Sequence, residues 1–531
     1  MTPETIHRQK PDLSGNAVDW FLDRHIRDGN SARIAFTDPW RTQSYASLAR
    51  DSRRFAGALS EAGITRERRI ALIMLDTIDF PIVFWGSIRA GVVPVPINTL
   101  LTPDVMAYIL ADSRADAVVV SSALVKPLTE VLRGIPNLRR VIVVDSTGSS
   151  PAAIDHAAQV SMGDFLETGD PATRSAVAFP DEVAFWLYSS GSTGAPKGVR
   201  HVHASLQHTA ETYGSQVLRI EPDDVMFSAA KAFHAYGLGN SLTFPMAVAA
   251  SAVFLPERPT TDAVLTMMRN HNPTMFGGVP TLYASLLANP MIGPGAQSSR
   301  LRRCISAGEA LPADIGHRWK SMVGIDILDG IGSTEMLHIF ISNRVDDIRY
   351  GTSGKPVPGY EAHVLNEHGR PVPNGEAGEL VVRGPSAAEG YWNQREKTRK
   401  TFRGEWTHTG DTYTRDADGY FRYQGRGDEM LKVSGIWVSP FEVEEALISH
   451  PAVLEAAVVG HEDRDGLIKP KAFVILRDSA LEQDLEVLSD ELKTHVKDRI
   501  GVWKYPRWIT FTESLPKTAT GKIQRFRLRS L

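Results

Sequence analysis

Between residues 47 and 145 the chain alternates helical stretches with short runs that are apolar at nearly every position: "RIALIML" (69–75), "VVPVPIN" (92–98), "ADAVVVS" (115–121) and "RRVIVVD" (139–145). A strand with one face in water reads apolar, polar, apolar. A strand that is apolar throughout has to be covered on both faces. The segments between these runs supply the covers. "SLARDSRRFAGALSEAG" (47–63) places Leu48, Phe55 and Leu59 on one helical face and stops at Gly63, and "FPIVFWGSIRAG" (80–91) reads as a helix ending at glycine. Strand, helix, strand in this order means βαβ units and parallel sheets, so the fold class is α/β.

The last hundred or so residues change character, with higher charge density and shorter elements. "SPFEVEEALISH" opens with Ser439 as N-cap, Pro440 at the first helical position and Glu442 three residues on, a capping box. Two strand-like runs follow, "LEAAVVG" and "KAFVIL", and then a helix with Leu485, Leu488, Leu492, Val496 and Ile500 on one face, stopped by Gly501. This is a small α+β unit, and its join to the rest falls in "GRGDEMLK" (425–432), with two glycines and four charges.

Composition narrows the function by exclusion. A net charge of −4 over 531 residues gives no basic footprint for nucleic acid or a membrane surface. The single cysteine, Cys304 in "RRCISAGEA", rules out a disulfide framework, and with no activating partner in the sequence it reads as a buried small hydrophobe. The N-terminal stretch lacks the apolar core of a signal peptide, and the longest apolar run, "LTFPMAVAASAVFLP" (242–256), is too short to span a bilayer and contains Pro245. The expectation is a soluble cytoplasmic protein, monomer or homodimer.

The densest polar feature is "YSSGSTGAPKG" (188–198). Gly191 and Gly194 permit a nest of backbone amides, Ser189, Ser190, Ser192 and Thr193 add hydroxyls, and Lys197 adds a cation. The preceding "EVAFWLY" is strand-like and the following "KGVRHVHASLQHTAETYG" reads as a helix. Strand, polar glycine loop and helix N-terminus together suit a phosphate. The stretch does not match the GxxxxGK[ST] phosphate loop, because no glycine stands before Lys197 at the needed spacing. Taken alone, a flexible surface loop would also account for it.

The loop has companions. "SAGEAL" (306–311), "DGIGSTE" (329–335), "GELVVRGPSAAEGYW" (378–392), "THTGD" (407–411), "YQGRGDEMLKVSGIWVSPFEVE" (423–444) and "LPKTATGKIQR" (515–525) follow in order. Together with the loop they resemble the signature motifs of the adenylate-forming superfamily: acyl-CoA synthetases, peptide-synthetase adenylation domains and beetle luciferases. "KAFHAYGLGNSLTFPM" (231–246), "ERPT" (257–260) and "IGSTEMLHIF" (331–340) further resemble the benzoate–CoA ligase branch.

The resemblance implies a large N-terminal domain for ATP and acyl binding (1–427), a mobile C-terminal domain (428–531) and a hinge at Asp428. It implies ATP, magnesium and coenzyme A as cofactor and co-substrates. Ser189, Ser190, Ser192, Thr193, Gly194 and Lys197 would cradle the β- and γ-phosphates; Thr334 would reach the α-phosphate and Glu335 would hold the metal. Asp411 and Arg426 would face the ribose. Gly308, Glu309 and Ala310 would line the adenine slot, with Asp329 and Gly330 at its edge and Ile331 where many relatives stack an aromatic ring. Lys522 would be the catalytic lysine, bridging carboxylate and α-phosphate, and Ser434 and Gly435 would form the coenzyme A tunnel. Lys517 is left out of catalysis.

The same resemblance draws an acyl pocket with Phe233, His234, Ala235, Tyr236 and Gly237 on one wall, Gly277, Gly278, Val279 and Pro280 on a second, and Gly332, His338 and Ile339 on a third. Aromatic and small residues with few polar tips suit a flat ring. His234 stands where benzoate ligases often carry phenylalanine, so it either reads a hydroxyl or amino substituent or is a neutral structural histidine. His201 and His203, after the phosphate loop, are taken as helix-start or surface residues. The expected activity is an AMP-forming aryl-carboxylate–CoA ligase acting on benzoate or a hydroxy- or amino-benzoate. A stand-alone enzyme loading an aryl acid onto a carrier-protein thiol is the alternative, and a catalytically dead nucleotide-binding protein a third.

Overall fold

The computed structural model describes residues 15–135, 138–146, 158–191, 194–295, 298–427, 429–433, 436–464, 467–501, 504–517 and 523–529. Backbone packing divides the chain into two compact units. The first is Met1–Met267 with Ser333–His338 and Pro385–Arg399; the second is Met268–Gly332 with Ile339–Gly384 and Lys400–Leu531.

In the first unit the apolar runs do form a parallel sheet, ordered Val93–Pro96, Arg69–Ile73, Ala117–Ser121, Arg140–Val144, Gln159–Ser161. One face, Ala71, Ile73, Val118, Val120, Val141 and Val143, packs with Met106, Ile109 and Leu110 of helix Pro103–Ser113 and with Val125, Leu128 and Leu132 of helix Ser122–Arg133. The alternate residues Ile70, Leu72 and Ile142 are buried as well, which is the two-sided burial that the unbroken apolar pattern demands. Helix Tyr45–Glu61 buries Leu48, Phe55 and Leu59 as expected, and Ser44 caps it by accepting from the Ser47 N–H. A second group of strands, Val225–Ser228, Ser251–Val253 and Ile34–Thr37, is also parallel.

In the second unit Met275–Gly278, Arg303–Ser306 and Ile327–Gly332 run parallel, and Ile339–Ser342 returns antiparallel to Ile327–Gly332. Cys304 lies in the middle of this sheet, fully buried, and burial pushes its thiol up to about 12, so it is inert packing as expected. A separate antiparallel sheet carries Ala377–Arg383, Trp406–Arg415 and Phe421–Arg426.

Beyond residue 430 the α+β portion has its own core. Strands Val453–Glu462, Ile468–Leu476 and Trp508–Phe511 pack Val458, Ala472 and Val474 against Val443 and Leu447 of helix Pro440–Ile448 and Leu488, Leu492 and Val496 of helix Leu485–Ile500. Each of the buried valines and leucines among them contributes about 1.5–3 kcal/mol. Leu485 departs from the expected stripe: it is the first helical residue and stays exposed, because the helix enters the core only at Leu488. Ser439 caps its helix by accepting from the Glu442 N–H at 3.1 Å, while the Glu442 carboxylate takes Lys504 at 2.6 Å. Among the described residues, no helix is long and apolar enough to cross a membrane.

Candidate functional site

The glycine–hydroxyl loop does not lead into a helix. Val183–Gly191 and Gly194–Val202 are antiparallel strands, with Ser189 opposite Lys197 and Gly191 opposite Gly194, and the helix begins only at His203. The helical reading of 197–214 fails over its first turns because Val199, His201 and Val202 are buried in a sheet, where a β-branched pattern beats a weak helical one. Ser192 and Thr193 lie outside the described residues. Ser189 Oγ is buried with no hydrogen-bond partner among the described residues.

A third strand, Gly390–Tyr391, pairs with the hairpin at Arg200 and Val199. It brings Tyr391 to Lys197, whose Nζ donates to the phenol oxygen at 3.3 Å and sits 4.4 Å from the ring centroid. The same phenol donates to Glu335 Oε1 at 2.8 Å, and Lys197 Nζ is 4.0 Å from that oxygen. Glu335 is held from behind, since its carbonyl accepts the Ala388 N–H at 2.9 Å. Thr334 is held by His201, whose Nε2 meets the Thr334 carbonyl at 2.8 Å; for that contact Nε2 carries the proton and donates. His201 is wholly buried and stacked on Phe185, and burial pushes it down to about 4, so it is neutral. His203 is buried too, and its Nδ1 accepts the Ala17 N–H. Neither histidine is a surface residue, although His203 does open its helix. The first unit thus brings Lys197, Thr334 and Glu335 into one hydrogen-bonded cluster. Two of its members escape the sequence reading: Tyr391 has no role there, and His201 is taken as a helix-start or surface residue. Tyr391 stood in plain view inside "GELVVRGPSAAEGYW".

Three residues after Glu335, His338 lies among the aromatic rings of Tyr213, Tyr236 and Phe244, at centroid distances of 5.1, 5.8 and 4.5 Å. Its Nε2 meets the Tyr236 carbonyl at 3.3 Å, and burial pushes it down to about 3, so it too is uncharged. Phe233 and His234 are edge to face at 4.6 Å. His234 has extended backbone and precedes the short helix Ala235–Leu238. Gly237 cannot be replaced without movement, because a Cβ there would lie 2.0 Å from the Lys231 carbonyl oxygen. The segment before it is braced by Asp76, a buried carboxylate that accepts the Ala232 N–H at 3.1 Å; burial pushes its pKa up to about 6, offset by Lys231 and that N–H.

The second unit holds the residues nominated for the nucleoside. Gly308, Glu309 and Ala310 follow strand Arg303–Ser306. Asp329, in strand Ile327–Gly332 with Gly330, Ile331 and Gly332, is buried. Desolvation pushes it up to about 8, against the Ser306 hydroxyl and the Leu311 and Gly330 N–H groups that pull it down. Asp411 and Arg426 are register partners on adjacent strands, their charged ends 3.3 Å apart. Gly277 and Gly278 end strand Met275–Gly278, Val279 and Pro280 lead into helix Pro280–Ala288, and Ile339 is buried in its strand.

Lys522, Asp428, Ser434, Gly435 and the side chain of Ser190 lie outside the described residues. The residue after Lys522 is described: the Ile523 N–H donates to Glu309 Oε1 at 3.1 Å, tying the C-terminal segment to the "SAGEAL" loop. Lys517 is engaged by Glu455, at 2.7 Å to Oε2. Among the described residues there is no group of three or more His, Cys, Asp and Glu that could hold a metal by itself. A lone part-buried carboxylate beside a lysine suits a cation that brings phosphate oxygens and waters with it.

Comparison with known proteins gives this geometry a context. The AMP-binding enzyme family matches residues 22–392, and the AMP-binding enzyme C-terminal domain matches 442–522. The chain is 52% identical to a benzoate–CoA ligase of Thauera aromatica over 517 residues, 97% of this chain and 96% of the relative. It is 50% identical to a 4-hydroxybenzoate–CoA/benzoate–CoA ligase of Rhodopseudomonas palustris over 516 residues, 97% of this chain and 94% of the relative. The crystal structure of the anthranilate–CoA ligase AuaEII in complex with anthranoyl-AMP superposes with a TM-score of 0.91 at 42% identity, covering 97% of this chain and 96% of that one.

Proposed function

The chain belongs to the AMP-binding enzyme family, and from that premise we propose that it is an ATP-dependent ligase joining an aromatic carboxylic acid to coenzyme A. The carrying observation is the cluster of Lys197, Thr334, Glu335 and Tyr391, which continues within three residues into the aromatic surroundings of His338. Full-length likeness to ligases for benzoate, 4-hydroxybenzoate and anthranilate supports a ring-bearing acid.

A carboxylate is a poor acyl donor because its leaving group would be oxide. Attack of one carboxylate oxygen on the α-phosphorus of ATP expels pyrophosphate and makes an acyl–AMP mixed anhydride. The thiol of coenzyme A then attacks the acyl carbon and expels AMP. Both steps gather negative charge, so positioning and electrostatic stabilisation dominate. Lys197 meets the terminal phosphates and Thr334, fixed through its carbonyl by His201, presents its hydroxyl to the α-phosphate. Glu335 would hold magnesium, whose charge offsets that of the phosphates. Neutral His338 and His201 keep the first unit's wall uncharged beside the acid. Asp411 and Arg426 take the ribose, and the 306–311 segment takes the base.

Lys522 bridges carboxylate and α-phosphate in the first step. Glu309, bonded to the next residue's N–H, is a natural dock for that segment. For the thiol to enter, the lysine has to leave, so a C-terminal domain of residues 428–531 turns about Asp428 and presents Ser434 and Gly435 to the pantetheine. The setting is a reducing cytoplasm.

The test is pyrophosphate release with ATP, magnesium and coenzyme A across benzoate, its hydroxy and amino derivatives, cyclohexanecarboxylate, cinnamate and hexanoate, for the natural protein and His234→Phe. Aromatic acids should lead. If one substituted ring leads and only that preference collapses in His234→Phe, His234 reads the substituent. If hexanoate wins, the aromatic reading is wrong. A carrier-protein thiol accepted in place of coenzyme A would move the enzyme to the alternative acceptor class.

A further inference from the structure

Lys197 and Glu335 carry opposite charges on side chains only 19% and 16% exposed, yet they do not close on each other. A free pair in such a site would settle at about 2.7–2.9 Å; these stand 4.0 Å apart. The Tyr391 phenol bridges them, accepting from the lysine at 3.3 Å and donating to the carboxylate at 2.8 Å. A phenol can do both at once. Its ring faces the ammonium at 4.4 Å, which steadies the lysine without discharging it.

Tyr391 is itself rigidly placed. It is 5% exposed, paired through its strand to Val199, and its N–H donates to Thr398 Oγ1 at 3.0 Å. The preceding Gly390 has φ of +131°, and a Cβ there would meet Thr398 at 2.6 Å, so the turn that delivers the ring requires glycine. The Ala388 N–H, three residues earlier, holds the backbone of Glu335. Ring and carboxylate therefore rest on one short stretch of chain.

We propose that Tyr391 is a positioning residue for the first half-reaction, whose hydroxyl orients the Glu335 carboxylate for the metal of the nucleotide and keeps Lys197 from neutralising it. A closed lysine–glutamate pair would consume the group meant for the phosphates and the group meant for the metal together. A carboxylate offers about four acceptor positions, so Glu335 can keep the phenol on Oε1 and still take a hard cation. The inference rests on the reading of Glu335 as the metal-holding residue.

Tyr391→Phe isolates the oxygen, since ring, packing and cation–π contact remain. Three quantities are read: binding of manganese to the enzyme with α,β-methylene-ATP by electron paramagnetic resonance titration, pyrophosphate release as a function of magnesium, and capture of preformed benzoyl-AMP by coenzyme A. Losing a hydrogen bond to a charged group should weaken metal binding about tenfold and shift the magnesium requirement alike. Capture of benzoyl-AMP should stay within about twofold, because the adenylate is already made. In a Glu335→Gln background, Tyr391→Phe should add nothing to the metal titration.

Metal binding unchanged in Tyr391→Phe overturns the proposal, as does a parallel loss of all three readouts, which would mark the hydroxyl as a fold determinant. An additive loss in the double variant overturns it too, because Tyr391 would then act on the metal by another route. Metal binding unchanged in Glu335→Gln instead sinks the underlying assignment of Glu335, and is told apart from the other failures by that single variant.

Discussion

Arg525 opens a short helix three residues after Lys522 and is the best-anchored side chain near the C-terminus. Its guanidinium meets Glu444 at 2.7 and 3.0 Å through Nη2 and at 3.2 Å through Nε, and reaches Glu429 at 3.4 Å. The side chains of Arg525 and Glu444 are 18% and 5% exposed. Burial alone would lower the Arg525 pKa; the facing carboxylates outweigh it and hold the guanidinium charged. Arg525→Met keeps the stem and removes the charge. Stranding one member of a buried pair costs about 3–5 kcal/mol. Here Glu444 retains the Val458 N–H at 2.7 Å, and the orphaned carboxylate can take up a proton, so the expected loss is at the low end, about 3 kcal/mol at pH 7. That is a large fraction of a typical folding stability of about 5–15 kcal/mol.

The assay is urea denaturation followed by circular dichroism, with hydrogen exchange across 453–476, at pH 7 and pH 5. The sign of the pH effect follows from Glu444. In the variant its folded pKa lies above its unfolded one, so stability is regained as pH falls and lost as pH rises. The penalty at pH 5 should therefore be smaller than at pH 7. Adding Glu444→Leu should recover most of the loss, since it removes the stranded charge. A loss below about 0.5 kcal/mol for Arg525→Met, or an equal penalty at both pH values, would refute this account, because either means the pair is effectively in water.

Other expectations follow from single contacts. Asp329, with a folded pKa of about 8, is protonated at neutral pH and costs stability as pH rises from about 4 through 8; Asp329→Asn should flatten that fall, read as the difference between the two melting temperatures from pH 6 to pH 9. His201→Phe keeps the stack on Phe185 but removes the imidazole donor to the Thr334 carbonyl, leaving it the Leu337 N–H at 3.2 Å, and should slow pyrophosphate release about tenfold while leaving benzoyl-AMP capture near normal, by stopped-flow comparison of the two half-reactions. Gly237→Ala puts a methyl 2.0 Å from the Lys231 carbonyl oxygen and should raise the KM for the acid far more than the KM for ATP in steady-state kinetics.

Much of the scaffold is legible in the sequence because burial writes itself into the pattern. A strand covered on both faces has nowhere to put a polar side chain, so 69–75, 115–121 and 139–145 could hardly be anything else. Gly63, Gly91 and Gly501 do stop helices, each with φ above +70° or at it, where glycine is cheap. The exposed Leu485 shows the limit of the same logic: periodicity marks a face, and only packing decides where on that face burial begins. The site is less legible. The six motifs nominate residues, but a motif is a line and a hydrogen bond is a distance. Lys197, Glu335 and Tyr391 are separated by more than fifty residues at each step, and only the pairing of Gly390–Tyr391 with the hairpin makes them neighbours.

The error over the loop is the more instructive one. A helix N-terminus would have contributed roughly half a positive charge, and its N–H groups, to any phosphate bound there. An antiparallel hairpin has almost no net dipole, because its strand dipoles cancel. With Ser189 opposite Lys197 on such a hairpin, the formal positive charge carried by the described part of the loop is the lysine side chain. A lysine in that role cannot be spent on a glutamate four ångströms away. The neutral histidines point the same way: His201 positions Thr334 through a hydrogen bond and His338 borders the aromatic wall, and burial strips both of charge. On the proposed reading the first unit would offer the terminal phosphates the Lys197 ammonium, with His201 and His338 uncharged. The hydroxyl of Tyr391 stands between that cation and the Glu335 carboxylate.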